Sequence, residues 1–576
     1  MVRLEIDGEN NYYQKIQQYK KPILIGFTGL FAIFIFFTTN LHNYYTILTT
    51  SVNQPEKCPL YDKLIPQSFI KDNSTAVDII YGKEFRMKSI ARLAGSVQVD
   101  TQIGDAPPKV DEEPEYYEKF IKFHKFLKSE FPQVYEKLEV EYVNTYGLIL
   151  TWKGSESLKP LMLMAHQDVV PVQQDTLDQW SYPPFSGHYD GEYIYGRGAS
   201  DCKNVLIAIM ESIDLLIDQN FKPKRSIILA FGFDEESSGK HGAKHMGVYL
   251  EKKYGKNSVY AIVDEGLGLM PNPNSGMIMA LPATGEKGYI DLYVNLTMQG
   301  GHSSLPPDHT SIGIMGQLVS NIESDQFRPA LTTKNPFLSH LQCMAVYDDE
   351  LSSLVRKVIL NADTNKFANK KIVESLSKQL LTKYMLKTSQ AIDIIKGGEK
   401  NNALPEQVSL AVNHRISVDS TTKLVRERFT QRVLKLAKIH DLEVIAFGEK
   451  IHDGKTGTFI ITSSSDLDPA PVTPIHDTQW KYLAGTVRHV FEDLVFTNLT
   501  YPLITAPSLI PANTDTRHYW SLTDHIYRFS PFYSANLVEE NNIHSVDERI
   551  RVDAHLQLLA FFYQYIQNVN TKDAGK

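Results

Sequence analysis

Cysteine is scarce in this sequence: its 576 residues include only Cys58, Cys202 and Cys343. There is no Cys-x-x-Cys pair and no cysteine–histidine cluster, so a thiolate zinc site is not indicated. A framework of several disulfides is excluded, whereas a single bridge remains open. The cysteine count by itself does not identify a redox compartment.

An excess of positive charge is also absent. The chain has 59 Lys and Arg residues against 67 Asp and Glu residues, which gives a net charge of −8 at pH 7. Proteins that bind nucleic acid usually present a basic surface. We therefore predict no nucleic-acid partner. The length suits several domains, since a domain usually has roughly 100–200 residues.

Long apolar runs are rare, and only Ile23–Thr39 is apolar enough to cross a membrane. A spanning helix needs roughly 17–25 residues. Three lysines precede the run, and no Lys or Arg follows it before residue 55. The positive-inside rule then predicts a cytosolic tail (1–21), a transmembrane anchor (22–40) and a lumenal remainder. The alternative, a cleaved signal peptide, usually has a shorter core and a small-residue cleavage site, which we do not find here.

Three N-x-[ST] sequons agree with a lumenal body. They begin at Asn73, Asn295 and Asn498. Each triplet is a weak motif alone, but the predicted orientation makes all three candidate glycosylation sites on the surface.

The pattern of apolar residues divides the remaining chain into segments. Residues 41–85 are polar with little periodicity and are interpreted as a stalk. Residues 86–286 alternate helical patterns with short apolar strands, which is typical of an α/β domain with a mostly parallel sheet. The pattern of residues 287–463 predicts a second, α+β domain. Within it, the polar and helix-prone residues 325–396 are interpreted as an insertion. Residues 464–576 return to the first domain.

Acidic and histidine side chains follow the predicted strands of the first domain. The segments are Ala165–Asp168, Gly196–Asp201, Asp234–Glu236 and Asp264–Gly266. Open α/β sheets bind ligands beyond the carboxyl ends of their strands. Carboxylates gathered there repel one another, and a divalent cation is the natural compensation. Oxygen ligands with some imidazole suit zinc, manganese or cobalt. Each segment alone also fits a turn, a helix cap or a solvated loop, so the prediction depends on their joint placement.

These segments carry a family resemblance. MLMAHQDVVPV, PPFSGHYDGEYIYGRGASDCK, DEESSG and DEG, in this order, resemble the two-zinc exopeptidase family that includes aminoacylase-1 and bacterial glutamate carboxypeptidase. The similarity extends over roughly residues 90–570. It implies a zinc-dependent exopeptidase catalytic domain with a mixed, mostly parallel sheet, and an inserted α+β lid or dimerisation domain.

The resemblance also implies roles for individual residues. The metal ligands would be His166 and Asp264 on one zinc ion, Glu236 and His544 on the other, and Asp201 bridging both. Asp168 would orient His166, and Glu235 would be the general base that takes the proton from water, leaving a hydroxide shared by the two ions. In relatives the bond after the bridging aspartate is often cis.

Three further residues resemble substrate-contacting positions of the family. His302 lies in a Gly-Gly-His-Ser segment whose histidine helps hold the substrate and in several relatives reaches the partner subunit's site. Arg415 and Arg517 are candidates for binding the free carboxylate, because the guanidinium fork matches a carboxylate. Arg517 follows Pro511-Ala512-Asn513, where the family usually has glycines. For either arginine, a structural ion pair is the alternative.

The predicted function is a metallo-carboxypeptidase acting on the C-terminal bond of short peptides of the Gly-X type. Two alternatives remain: an N-acyl-amino-acid hydrolase with the same metal site, and a membrane-tethered binding protein that has lost catalysis. The anchor resembles that of a vacuolar yeast member of the family, which implies a vacuolar lumen location. A homodimer is a further family expectation.

Overall fold

The computed structural model describes residues 40–273 and 275–575. The helices are α1 (Asn40–Thr49), α2 (Gln67–Lys71), α3 (Ser74–Tyr81), α4 (Lys83–Val97), α5 (Glu118–Glu130), α6 (Pro132–Lys137), α7 (Lys203–Asp218), α8 (Ala243–Tyr254), α9 (Ser311–Ser324), α10 (Pro336–Tyr347), α11 (Ser353–Leu360), α12 (Lys366–Leu376), α13 (Leu380–Met385), α14 (Thr422–His440), α15 (Thr478–Val490), α16 (Leu537–Asn541) and α17 (Val552–Val569).

The strands are β1 (Glu139–Val143), β2 (Gly147–Trp152), β3 (Leu161–His166), β4 (His188–Tyr189), β5 (Tyr193–Tyr195), β6 (Ile227–Gly232), β7 (Ala261–Pro271), β8 (Ile278–Ala280), β9 (Ala283–Glu286), β10 (Gly288–Met298), β11 (Gly301–His302), β12 (Ala391–Gly397), β13 (Ala403–Leu404), β14 (Gln407–Ile416), β15 (Glu443–Ala446), β16 (Glu449–His452), β17 (Gly457–Leu467), β18 (Ile504–Thr505), β19 (Ser508–Ile510), β20 (Ile526–Tyr533) and β21 (Arg549–Arg551).

The catalytic domain is built on one mixed sheet. Its main order is β1-β2-β6-β3-β7-β20-β9-β19, and the central pairs β6–β3, β3–β7 and β7–β20 are parallel. The central strands β3 and β6 are buried along their whole length, which explains their continuous apolar sequences. Helices α7 and α17 pack on one face and α8 on the other. The predicted mixed, mostly parallel sheet is confirmed.

The second domain, the predicted lid, is inserted between β9 and α15. Its sheet has the order β12-β14-β10-β17-β15-β16, and α9 and α14 cover one face. Strand β14 alternates exposed or half-buried residues with buried ones, as expected for a sheet covered on one side. The last lid strand, β17, runs to Leu467, so the chain returns to the catalytic domain later than the boundary at 464 indicates.

The predicted insertion, residues 325–396, contains helices α10 to α13 and the edge strand β12. The helices enclose an apolar cluster of their own, centred on Leu338, Leu341, Ile359 and Leu360. Helix α10 also packs on β9 and β19 at the far end of the catalytic sheet. The insertion is therefore a small helical layer attached to both domains.

Residues 41–85 differ from the interpretation as a stalk. They form α1, α2 and α3, and Cys58 is joined to Cys343 of α10 by a disulfide. Helix α3 buries Ala76 and Ile79 and packs on α17. These helices are too short to show a clear helical periodicity in the sequence. Their stability comes from packing against distant parts of the chain rather than from local sequence.

The predicted cytosolic tail and almost all of the predicted anchor lie outside the described residues. Within residues 40–273 and 275–575, no helix combines the length and apolarity that crossing a membrane requires.

Candidate active site

The predicted metal-binding residues meet at one edge of the catalytic sheet. His166 is the last residue of β3, and Glu235 and Glu236 form the turn that follows β6. Asp201 immediately precedes the turn into α7, and His544 comes from the segment between α16 and β21. Strands that run parallel end at the same edge, which is why residues far apart in sequence converge here.

Two groups of metal-ligating atoms share Asp201. One contains His166, Asp201, Cys202 and Glu265, and the other contains Asp201, Glu236 and His544. Asp201 Oδ1 lies 3.0 Å from His166 Nε2, and its Oδ2 lies 3.2 Å from His544 Nε2. His544 Nε2 is also 3.3 Å from Glu236 Oε1. Each oxygen of Asp201 thus faces a different group, which is the arrangement a bridging carboxylate needs.

The structure brings Glu265, rather than the predicted Asp264, to His166. Glu265 Oε1 lies 3.5 Å from His166 Nε2, and Glu265 lines the cavity beside the cluster. Asp264 is not in either ligand group. Both residues belong to β7, where successive side chains usually point to opposite faces, and Glu265 is the one that belongs to a ligand group.

Asp168 makes hydrogen bonds that position the residues of the cluster. His166 Nδ1 donates to the backbone carbonyl of Asp168 at 2.8 Å, which leaves Nε2 directed at Asp201. The Asp168 carboxylate accepts hydrogen bonds from the backbone N–H groups of Glu235 and Glu236 at 3.2 and 3.0 Å. One residue therefore serves both parts, since its backbone carbonyl orients His166 and its carboxylate holds the turn after β6.

Glu548 holds the loop that carries Asp201, a role that the sequence analysis did not identify. This fully buried carboxylate accepts hydrogen bonds from the backbone N–H groups of Gly198, Ser200 and Asp201 at 3.0–3.2 Å. It also pairs with Arg197 at 2.7 Å. The Asp201–Cys202 bond is cis, and the buried Cys202 Sγ accepts the backbone N–H of His166 at 3.2 Å.

Burial of so many acids perturbs their protonation. Burial, with a further contribution from the Asp201 charge, raises the pKa of Glu236 to about 7 and that of Glu265 to about 8. Hydrogen bonds to Asp201 and Glu236 raise the pKa of His544 to about 10. Burial, and then the charge of Glu265, raises the pKa of Glu235 well above its usual range. The protein alone thus lacks enough positive charge to hold all these carboxylates ionised.

A cavity of about 890 Å³ opens beside this cluster. Its lining includes Glu235, Tyr289, Arg415, Asn513 and Arg517. The Arg415 guanidinium lies 4.4 Å from the Tyr289 ring centroid, and Arg415 Nη1 donates to Asn513 Oδ1 at 3.2 Å. Arg517 Nη2 lies 3.7 Å from Glu235 Oε1. Two guanidinium groups therefore face the same cavity as the acidic cluster.

The remaining predicted residues lie elsewhere. His302 is exposed on β11, which pairs with β13 of the lid, and does not line the cavity within this chain. Asn73 and Asn498 are exposed, whereas Asn295 is half-buried in the middle of β10. Asn513 and Tyr289 line the cavity without having been predicted, and the sequence offered no clear signal for either.

An imidazole–carboxylate cluster at the strand ends of an α/β sheet, beneath an inserted lid, defines a metallo-exopeptidase. The model of the family described as Peptidase family M20/M25/M40 matches residues 162–568, and this chain belongs to that family. Members of the family are metal-dependent hydrolases.

Curated relatives cover most of the chain. It is 40% identical to carboxypeptidase S of Saccharomyces cerevisiae over 522 residues, or 90% of each protein. It is 32% identical to the N-fatty-acyl-amino acid synthase/hydrolase PM20D1 of Homo sapiens over 88% of this chain and 92% of that protein. These similarities agree with the predicted family.

Solved structures share the fold at low sequence identity. An M20 family metallo-carboxypeptidase, Sso-CP2 from Sulfolobus solfataricus, has a TM-score of 0.56 at 17% identity and covers 84% of this chain and 99% of its own. Human carnosine dipeptidase 1 has a TM-score of 0.56 at 15% identity, with coverage of 88% and 99%.

Proposed function

We propose that this protein is a zinc carboxypeptidase that hydrolyses the C-terminal peptide bond of short peptides of the Gly-X type. The observation that carries the proposal is the presence of Arg415 and Arg517 in the cavity that holds the acidic cluster. A substrate with a free carboxylate needs a cationic partner at a fixed distance from the reacting bond. Arginine supplies two parallel donors for that purpose.

We propose that two zinc ions bind at the shared cluster. His166, Asp201 and Glu265 would hold one ion, and Asp201, Glu236 and His544 the other, so Glu265 replaces Asp264 in the assignment. The donor set of imidazole and carboxylate suits zinc. The raised pKa values of Glu236 and Glu265 fit as well, because a nearby cation favours their ionised forms. When bound, the ions would supply Lewis-acid charge and lower the pKa of water.

Glu235 is the proposed general base. Its backbone N–H is held by Asp168, and its carboxylate lies on the cavity wall between the ligand cluster and Arg517. From there it would accept a proton from the attacking water and later deliver it to the leaving amine, which is general acid–base catalysis. Asp168 would act as a positioning residue for both His166 and Glu235.

An N-acyl-amino-acid hydrolase is the second candidate. The similarity to proteins named N-fatty-acyl-amino acid synthase/hydrolase, at 30–32% identity, favours it. The two arginines would bind the amino-acid carboxylate in the same way for either substrate, and only the acyl side of the cavity would differ. A catalytically inactive binding protein is less well supported, because Glu235 and both ligand groups are present.

We also propose a vacuolar lumenal location with a type II anchor, glycosylation at the three sequons, and a homodimer in which His302 enters the partner subunit's cavity. The support is the apolar run Ile23–Thr39, the sequons, and the similarity to carboxypeptidase S. The exposed position of His302 within one chain is compatible with this role.

The decisive experiment compares substrates on the full-length, zinc-loaded protein in detergent. The substrates are N-blocked Gly-Leu, acetyl-Leu and a long-chain acyl-Leu, with Glu235→Gln as the inactive variant and the exposed Glu449→Gln as the control. Faster release of leucine from the dipeptide, abolished by chelator and by Glu235→Gln, supports the carboxypeptidase. Preference for an acyl amino acid supports the second candidate. Zinc binding without hydrolysis would overturn both.

A further inference from the structure

Helix α1 presents an uncharged apolar face to solvent. It contains no acidic or basic residue in NLHNYYTILT. Leu41, Tyr44 and Leu48 are 62%, 49% and 50% exposed, whereas Ile47 is only 2% exposed. Positions spaced by three, four and seven residues share one side of a helix, so the three exposed side chains form a single stripe.

The insertion holds the helix from its other side. Lys357 Nζ donates to the Leu48 carbonyl at 2.7 Å, and Asn365 Nδ2 donates to the Asn43 carbonyl at 3.2 Å. Asn361 Nδ2 donates to Thr50 Oγ1 at 2.7 Å, just beyond the helix end. The disulfide between Cys58 and Cys343 fixes the segment that follows. These contacts come from both ends of α1, so its orientation relative to the body is defined.

The helices that hold α1 are basic, in contrast to the chain as a whole. Residues 353–385, from α11 to α13, contain seven Lys and Arg residues and two acidic residues, Asp363 and Glu374, which gives a net charge of +5, whereas the full chain carries −8. Lys366 and Lys370 are exposed on α12, one turn apart. Next to them, the ring of Phe367 lies 6.3 Å from that of Tyr44. The basic groups are thus adjacent to the apolar stripe.

The position of α1 in the chain indicates what covers the stripe. The apolar run Ile23–Thr39 directly precedes Asn40, the first residue that the structure describes, which already belongs to α1. If that run crosses a bilayer, α1 begins at the lipid surface. Tyrosine is enriched at that depth, and lysine next to apolar residues extends its ammonium group toward the lipid phosphates. A helix with an apolar face beside a basic one typically lies in the plane of the interface.

We propose that the stripe of Leu41, Tyr44 and Leu48 rests on the lumenal surface of the bilayer that the proposed anchor crosses, with Lys366 and Lys370 beside it near the lipid phosphates. The helical insertion then serves as a platform that holds α1 in this plane. In consequence the body is attached at a fixed orientation and the catalytic cavity keeps a constant height above the lipid. This proposal concerns attachment and is independent of the substrate.

The test measures lipid contact at two labelled positions of the full-length chain in nanodiscs. Leu48→Cys and Val248→Cys would each carry an environment-sensitive fluorophore, since Cys202 is buried and the other two cysteines are paired. Val248 is 67% exposed on α8, which packs on β1, at the opposite end of the sheet from β19, where α10 packs. We expect doxyl-labelled lipid to quench position 48 at least about threefold more than position 248.

A charge variant and one stoichiometry control complete the design. In the same discs, Lys366→Glu with Lys370→Glu should lower quenching at position 48 at least twofold, because the two carboxylates would be repelled by the lipid phosphates, while position 248 stays unchanged. Discs that hold one chain each remove contact with a second copy. Equal weak quenching at both positions, a blue shift at position 48 without lipid quenching, or a chain that does not enter the discs would overturn the proposal. Peptide hydrolysis by the same preparation reports separately on the proposed function.

Discussion

The two walls of the cavity are held in different ways. The acidic wall belongs to the catalytic domain alone, and its residues are fixed by backbone hydrogen bonds to the buried carboxylates of Asp168 and Glu548. The arginine wall combines Arg415 of the lid with Arg517 of a catalytic-domain loop. Asn513, in the loop of Arg517, links the two parts: it accepts a hydrogen bond from Arg415 Nη1 at 3.2 Å and donates one to the Lys287 carbonyl at 2.6 Å.

Under the proposed function, the acidic wall carries out the reaction and the arginine wall binds the substrate. For that reaction, the groups of the acidic wall must be placed to within a fraction of an ångström. The hydrogen bonds between backbone N–H groups and buried carboxylates provide that accuracy. The arginine wall spans two domains, so its spacing depends on how the lid sits. We therefore expect substitutions on the acidic wall to lower kcat or zinc content, and substitutions on the arginine wall to raise KM.

The largest effect is expected at the proposed general base. Glu235→Gln keeps the size and hydrogen-bonding shape of the side chain but cannot accept a proton, so kcat should fall by about 10²–10⁴-fold. Steady-state kinetics on the zinc-loaded protein measures this, with zinc content by mass spectrometry as the control. A variant that retains more than a tenth of the activity would remove Glu235 from the mechanism.

The next effect tests which acid of β7 is a ligand. Glu265→Gln should lower zinc occupancy by about one ion per chain and lower kcat, because a ligand is lost. Asp264→Asn should keep both ions, because Asp264 belongs to neither ligand group. Zinc content after dialysis against a weak chelator distinguishes the two variants. The reverse result would restore Asp264 as the ligand.

A smaller effect is expected on the arginine wall. Arg415→Met should raise KM by about 10–100-fold, because a charged hydrogen bond contributes about 1.5–3 kcal/mol. Arg428→Met is the matched control, since Arg428 also lies over an aromatic ring, that of Phe327, at 4.2 Å in the lid but does not line the cavity. If both variants raised KM equally, the effect would come from lid stability rather than from substrate binding.

The smallest effect should come from the residue that connects the two domains. Asn513→Ala removes one hydrogen-bond acceptor of Arg415 but leaves the guanidinium in the cavity, so a net cost of about 0.5–1.5 kcal/mol should raise KM about two- to tenfold with kcat nearly constant. Asn369→Ala, which removes two amide hydrogen bonds inside the insertion, controls for general destabilisation. A fall in kcat without a change in KM would contradict the division between the walls.

Sequence reasoning reached the fold and the location of the site because both depend on strand ends. The apolar runs before His166, Asp234 and Asp264 predicted three neighbouring strands, and parallel pairing places their ends together. On β7 the sequence predicts Asp264 as a ligand, whereas the acid that the structure places beside His166 is Glu265. A shift of one position in a strand reverses the face, and the motif Asp264-Glu265 offered a carboxylate on each face.

The missed features depend on packing. The segment Pro511-Ala512-Asn513 departs from the glycine-rich loop of the family. In the structure, the Asn513 amide forms hydrogen bonds with Arg415 and with the Lys287 carbonyl. Nothing in the local sequence indicates these two hydrogen bonds. The helices of residues 41–85 were missed for a similar reason, because they are stabilised by contacts with distant residues such as Asn361 and Cys343.

The late position of His544 and Glu548 in the sequence affects when the site can form during synthesis. Both lie in the last 33 residues of the chain, yet one supplies a ligand group and the other locks the loop of Asp201. Synthesis must therefore pass through the entire lid before the cluster can close. A growing chain that already contains His166, Asp201 and Glu236 still lacks these two residues, so we expect no hydrolytic activity before segment 544–548 has been made and has folded onto the cluster.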